Sequence, residues 1–82
     1  MRTKSLIITT ILEACSEGAS IPNVINAANL DHDIAKSYFD SLARSGLIES
    51  ADGIIYMTTD KGIEVLGELW VIQDFLTRHG YT

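Results

Sequence analysis

Few of the side chains in this 82-residue chain are of the types that do covalent or metal chemistry. Asp31-His32-Asp33 sets an imidazole between two carboxylates, a donor set that suits a divalent metal. Three consecutive side chains at a helix start diverge, however, and no second cluster completes a coordination shell. His79 lies near the C-terminal end, and Cys15, the one cysteine, falls within an apolar stripe where a thiol behaves as a small hydrophobe. There is no nucleophile elbow, glycine-rich phosphate loop or CxxC pair. The expectation is a protein that is not an enzyme and takes no metal or cofactor. What remains is a set of groups that bind without reacting: Asn23, His32, Lys36, Ser37, Ser41, Arg44 and Lys61. Their cations, hydroxyls and amides hydrogen-bond anionic oxygens and polar edges.

Several helices must hold these groups. Leu6, Ile7, Ile8, Ile11, Leu12 and Cys15 recur at helical spacing between Ser5 and Glu17, and Gly18 follows as a stop. Ser20 is an N-cap and Pro22 suits a first turn, so residues 21–28 read as a second helix with Val24, Ile25 and Ala28 inward. Asn29-Leu30 makes the turn, and Asp31 caps a third helix running to about Ser45, where Gly46 ends it. Ala35, Tyr38, Phe39 and Leu42 form its core face, with Ile34 at the margin. The opposite face carries Asp33, Lys36, Ser37, Asp40, Ser41 and Arg44. Beyond Gly46 the period changes. Residues 47–50 and 54–57 are β-prone runs around Ala51-Asp52-Gly53, a hairpin signal, and Gly18-Ala19 can add a third strand. Thr59 caps a last helix over residues 60–78.

A short helix, a tight turn, a longer helix and a hairpin is the layout of a winged helix-turn-helix. The run Glu13-Ala14-Cys15-Ser16-Glu17-Gly18-Ala19, then Ala28-Asn29-Leu30, Tyr38-Phe39-Asp40-Ser41-Leu42 and Gly46-Leu47-Ile48-Glu49, ending in Tyr56-Met57-Thr58-Thr59-Asp60-Lys61-Gly62, resembles the small archaeal winged helix-turn-helix regulators. The likeness spans nearly the whole chain, and its most specific pieces are Gly46-Leu47-Ile48 and Thr59-Asp60-Lys61-Gly62. It implies an α+β, mostly α fold of three helices, a β-hairpin wing and a long C-terminal helix. Core and wing occupy residues 1–58 and the helix residues 59–82, as parts of one domain. It also implies double-stranded DNA as partner, read by the third helix (31–45) in the major groove, and a homodimeric transcriptional regulator joined through the last helix. On that reading Lys36, Ser37, Ser41 and Arg44 meet bases or phosphates. Asn23 positions the backbone, His32 lies near the DNA face and Lys61 beside the wing, while Arg2 and Lys4 add contacts from an N-terminal arm.

Charge qualifies the picture. Eleven acidic against six basic residues leave a net charge of −5, whereas nucleic-acid affinity comes largely from phosphate neutralisation by Lys and Arg. Asp33 and Ser37 stand where such regulators often carry basic residues, and residues 49–57 hold no Lys or Arg. Lys36 and Arg44 each lie four residues from Asp40, a spacing at which they pair along the helix. A winged-helix module that docks on a basic protein partner and binds DNA weakly or not at all is the alternative expectation.

Size and the last helix together argue for the dimer. A domain this short buries roughly 60% of its unfolded surface, so its own core is marginal. Apolar residues spread too widely around the last helix for one contact: Ile63, Leu66 and Trp70 are expected in the core, and Val65, Leu69, Ile72, Phe75 and Leu76 against a second subunit. No stretch approaches the ~20 apolar residues of a membrane span. Glu13 also breaks the likeness of the N-terminus to a signal peptide ending at Cys15. A cytoplasmic location is expected.

Overall fold

The computed structural model describes residues 4–80. The order is α1 (Lys4–Cys15), α2 (Ile21–Ala28), α3 (His32–Arg44), β1 (Ile48–Glu49), β2 (Met57–Thr58) and α4 (Asp60–Arg78). Arg2, expected in an N-terminal arm, lies outside the described residues.

Helix α1 stops two residues earlier than its periodicity suggests, because the amide and the hydroxyl of Ser16 both donate to the Glu13 carbonyl, at 3.2 and 2.7 Å. Helix α2 opens with a capping box: Ser20 Oγ accepts from the Asn23 amide at 3.3 Å while Asn23 Oδ1 accepts from the Ser20 amide at 3.1 Å. It closes on Asn29, whose φ of 53° lies in the left-handed region that Asn tolerates. Asp31 caps α3 by accepting from the Asp33 amide at 3.1 Å. Beyond α3, Gly46 takes φ 78°, which turns the chain into β1.

Ile7, Ile11, Leu12 and Cys15 of α1, Val24 and Ala28 of α2, Phe39 and Leu42 of α3, Ile48 of β1 and Leu66 of α4 form one buried core with Ala19. Ile48 pairs with Thr58 and Glu49 with Met57 in an antiparallel ladder. The sheet has two strands, and in place of a third Ala19 makes one isolated bridge to Tyr56, its amide donating to Tyr56 O at 3.0 Å and its carbonyl accepting from the Tyr56 amide at 2.8 Å. The Tyr56 ring meets Phe39 edge-on at 5.0 Å, which ties wing to α3.

Two further expectations are corrected. The wing strands are shorter than residues 47–50 and 54–57, and no tight Ala51-Asp52-Gly53 turn joins them. Asp52 Oδ1 accepts instead from the amides of Ile54 and Ile55 at 2.8 and 3.0 Å. Ser50 Oγ accepts from the Gly53 amide at 2.8 Å and donates to Ile55 O at 2.6 Å. These local bonds occupy the groups that a longer ladder would use.

The second correction concerns the faces of α4. Ile63 and Trp70, expected in the core, are 49% and 51% exposed, whereas Val65 and Leu69, expected at a partner, pack against the chain's own core. Helix α1 sets this rotation. Trp70 Nε1 donates to Glu13 Oε1 at 2.6 Å, and Gln73 Nε2 donates to the buried Thr9 hydroxyl at 2.8 Å. Leu66 faces inward between those anchors, and Leu69 and Val65 pack on the core beyond Gln73. Leu76 is half-buried, while Ile72 and Phe75 are exposed together with Val71.

Candidate nucleic-acid interface

Burial of Ala35, Phe39 and Leu42 turns the opposite face of α3 outward. Asp33, Lys36, Ser37, Asp40, Ser41 and Arg44 are all exposed along it. The expected pairing of Lys36 and Arg44 with Asp40 is not made: among the described residues the ion pairs are His32 with Asp33, at 3.7 Å, and Arg78 with Asp74. Surface pairs of this kind gain only ~0.2–0.5 kcal/mol, too little to hold long side chains against their rotamer entropy. The Lys36 ammonium and Arg44 guanidinium are therefore free to take an anion.

The other expected residues separate into those that extend this face and those spent on structure. Asn23 is exposed, but its side-chain oxygen is engaged by Ser20 in the capping box. Lys61 Nζ donates to Ser45 O at 3.0 Å, so its charge sits on the carbonyl end of α3 rather than on the wing. His32 stays exposed at the first turn of α3.

Tertiary packing brings one expected residue, Lys4, to this face by another route and adds Ile34. Lys4, expected in an N-terminal arm, is instead the first residue of α1, and it lines a groove of about 400 Å³ with Ile8, Ser37, Tyr38, Ser41 and Leu42, which places a third cation beside the α3 face. The groove shared by α1 and α3 brings it there, a placement that local spacing does not signal. Ile34 is 48% exposed at the edge of the same face. Its marginal angle in the helical periodicity was the available sign.

The wing differs in character. Ile54 is 64% exposed, Ile55 and Met57 stand out beside it, and a surface cleft of about 450 Å³ runs between Glu49, Ser50, Ala51, Asp52, Ile55 and Met57. The amides of Ile54 and Ile55 hold the Asp52 carboxyl below its ordinary range, so it stays ionised. Burial pushes the Cys15 thiol up to about 11, which keeps it neutral and inert. Among the described residues no three His, Cys, Asp or Glu side chains converge as a metal site, and no helix is long and apolar enough to cross a membrane.

Residues 1–77 match a family model described as winged helix-turn-helix. Among solved structures the fold is similar to Sso10a-2, a DNA-binding protein from Sulfolobus solfataricus. The TM-score is 0.74 and the identity 27%, over 96% of this chain and 90% of that one. It is also similar to the transcriptional regulator BldR from Sulfolobus solfataricus, with TM-score 0.72 and 23% identity over 88% of this chain. This chain spans 60% of the BldR chain, and that likeness is one of fold. Both are described as DNA-binding or regulatory proteins and neither as an enzyme. No curated protein sequence matches.

Proposed function

This chain belongs to the winged helix-turn-helix family, and from that premise we propose that it is a homodimeric transcriptional regulator that binds duplex DNA with α3 in the major groove. The observation that carries the reading is the open polar face of α3, on which Lys36 and Arg44 stand exposed and without an intrachain ion pair. Ser37 and Ser41 lie between them with hydroxyls for base edges or phosphates, and Lys4 flanks the groove beside them. The likeness to Sso10a-2 supports the same partner. Fluorescence anisotropy with genomic duplex fragments at low salt tests it. Binding that Lys36→Glu weakens at least tenfold is expected, and no binding to any fragment contradicts it.

The dimer is proposed on the outward side of α4. Trp70, Val71, Ile72 and Phe75 are each at least half exposed there, an apolar patch of a kind that marks interfaces. A two-fold pairing of α4 with its copy covers that patch and presents two α3 helices to successive major grooves, about 34 Å apart. Val65 and Leu69 contribute from the inner edge, where they also meet the core. Sedimentation equilibrium at tens of micromolar protein gives a dimer on this reading, and Phe75→Glu shifts it to monomer. A wild-type monomer contradicts it.

The wing favours a second role in the same protein, as a docking surface for a basic partner. Ile54, Ile55 and Met57 are exposed beside Glu49 and Asp52, and like-charge repulsion disfavours a phosphate backbone there. A partner identified by cross-linking through residues 49–57 supports this role, and protection of those residues by DNA alone counts against it.

A further inference from the structure

Resting on the DNA-binding reading above, we propose that the chain is a sequence-specific reader rather than a sequence-indifferent coat of duplex DNA. Asp33 and Ile34 choose major grooves that present a cytosine amino group next to a thymine methyl.

The argument begins with what the face lacks. Sequence-independent binding is phosphate neutralisation, each contact contributing about −0.9 to the slope of log affinity against log salt. On α3 the cations Lys36 and Arg44 are balanced by Asp33 and Asp40, Lys4 adds one charge at the edge, Lys61 is held by Ser45, and the wing offers none. Among the described residues this leaves about three phosphate contacts per protomer, a slope of about −2.7 for each. Base edges must then supply a large part of the affinity.

The first turn of α3 carries groups for that task, and it is the N-terminal part of a recognition helix that meets bases. The Asp33 side chain is 98% exposed and lies 3.7 Å from the His32 imidazole. A carboxylate accepts hydrogen bonds and donates none. It therefore pairs with the N4 amino group of cytosine and is repelled by the O6 and N7 of guanine and by phosphate. The same charge that weakens general affinity thus discriminates between bases. Ile34, next in sequence and half exposed, brings an apolar surface to the same turn, and the thymine methyl is the apolar group of the major groove. Ser37 and Ser41 continue along the Ile34 side and accept either polarity of base edge.

Selection from a pool of randomised duplexes, followed by anisotropy titration of the selected and a scrambled duplex between 50 and 200 mM salt, tests the proposal. The selected duplexes are expected to share a cytosine beside a thymine and to bind about a thousandfold or more tighter than the scrambled one. Asp33→Asn should move the preferred base from cytosine to adenine, to whose N6 and N7 an amide bonds bidentately. Ile34→Ser should lower the thymine preference roughly tenfold, the size of one mismatched pair. Both side chains are exposed, and unchanged thermal unfolding confirms that the variants fold. Equal binding to all duplexes, or a preference that neither substitution moves, overturns the proposal while leaving DNA binding standing. Failure to bind any duplex overturns the DNA-binding reading itself.

Discussion

The Lys61 ammonium donates to the Ser45 carbonyl at 3.0 Å, so the first turn of α4 closes the last turn of α3. Thr59 reinforces the joint, since its hydroxyl donates to Gly46 O at 2.6 Å while it accepts from the Gly62 amide at 3.0 Å. The helix proposed to meet DNA and the helix proposed to meet a second subunit thus share one rigid corner.

If Lys61 serves this corner, Lys61→Met should lower stability by about 0.3–1 kcal/mol, the range for a cation at a helix C-terminus. DNA affinity should change far less than with Lys36→Glu. Urea denaturation and anisotropy on the same variants check the contrast.

Gly62 at the same corner admits no side chain. A Cβ there would run into the Leu47 carbonyl oxygen and the Thr58 methyl, and both belong to the wing and its approach. Gly62→Ala should cost about 1–3 kcal/mol by overpacking, despite the better helix propensity of alanine. Gly67, whose Cβ position is open, is the control: Gly67→Ala should leave stability unchanged or raise it by up to ~1 kcal/mol.

Thr9 is the buried polar residue of the core, 3% exposed, donating to Ser5 O and accepting from Gln73, each at 2.8 Å. Thr9→Val keeps the shape and leaves the Gln73 amide without that acceptor, for a loss of about 1–2 kcal/mol. The double variant with Gln73→Leu should recover part of it, since both polar partners are then gone. Thermal unfolding of the four proteins closes the cycle.

Two groups contribute to the pH response. The Cys15 thiol is raised from 9.0 to about 11 by burial, so its contribution is complete below 9.0 and lost as pH rises towards 11. Cys15→Ala should flatten that alkaline decline, and wild-type Cys15 should resist thiol reagents at neutral pH. Asp52, lowered by the Ile54 and Ile55 amides, acts in the opposite direction. Its support for the wing is complete above the ordinary value of 3.8 and is lost as pH falls through its lower folded value. Hydrogen exchange at the Ile54 and Ile55 amides should lose protection in that acid range.

Most of the helical frame was legible because its signals are local. Ser20 with Pro22, Asp31, Gly46 and Thr59 each act within a few residues, and their capping bonds form where the sequence places them. The wing was less legible because Ser50 and Asp52 compete for the backbone groups that β-propensity assigns to a ladder. The inner face of α4 was misread for a different reason. Apolar residues surround that helix, and its rotation is decided by Trp70 to Glu13 and Gln73 to Thr9, polar contacts more than fifty residues apart in sequence. At the candidate site, α3 and its exposed face follow from helical periodicity. The freedom of Lys36 and Arg44, the diversion of Lys61 and the approach of Lys4 depend on side-chain geometry that spacing does not determine.

Resonance-by-resonance titration of the isotopically labelled protein with duplex DNA tests the central claim most directly. Shifts concentrated at residues 32–44 and at Lys4, with residues 50–56 and the outer face of α4 unmoved, are the predicted result. Absence of shifts at saturating duplex, or shifts confined to the wing, would contradict the claim that this chain meets DNA through α3.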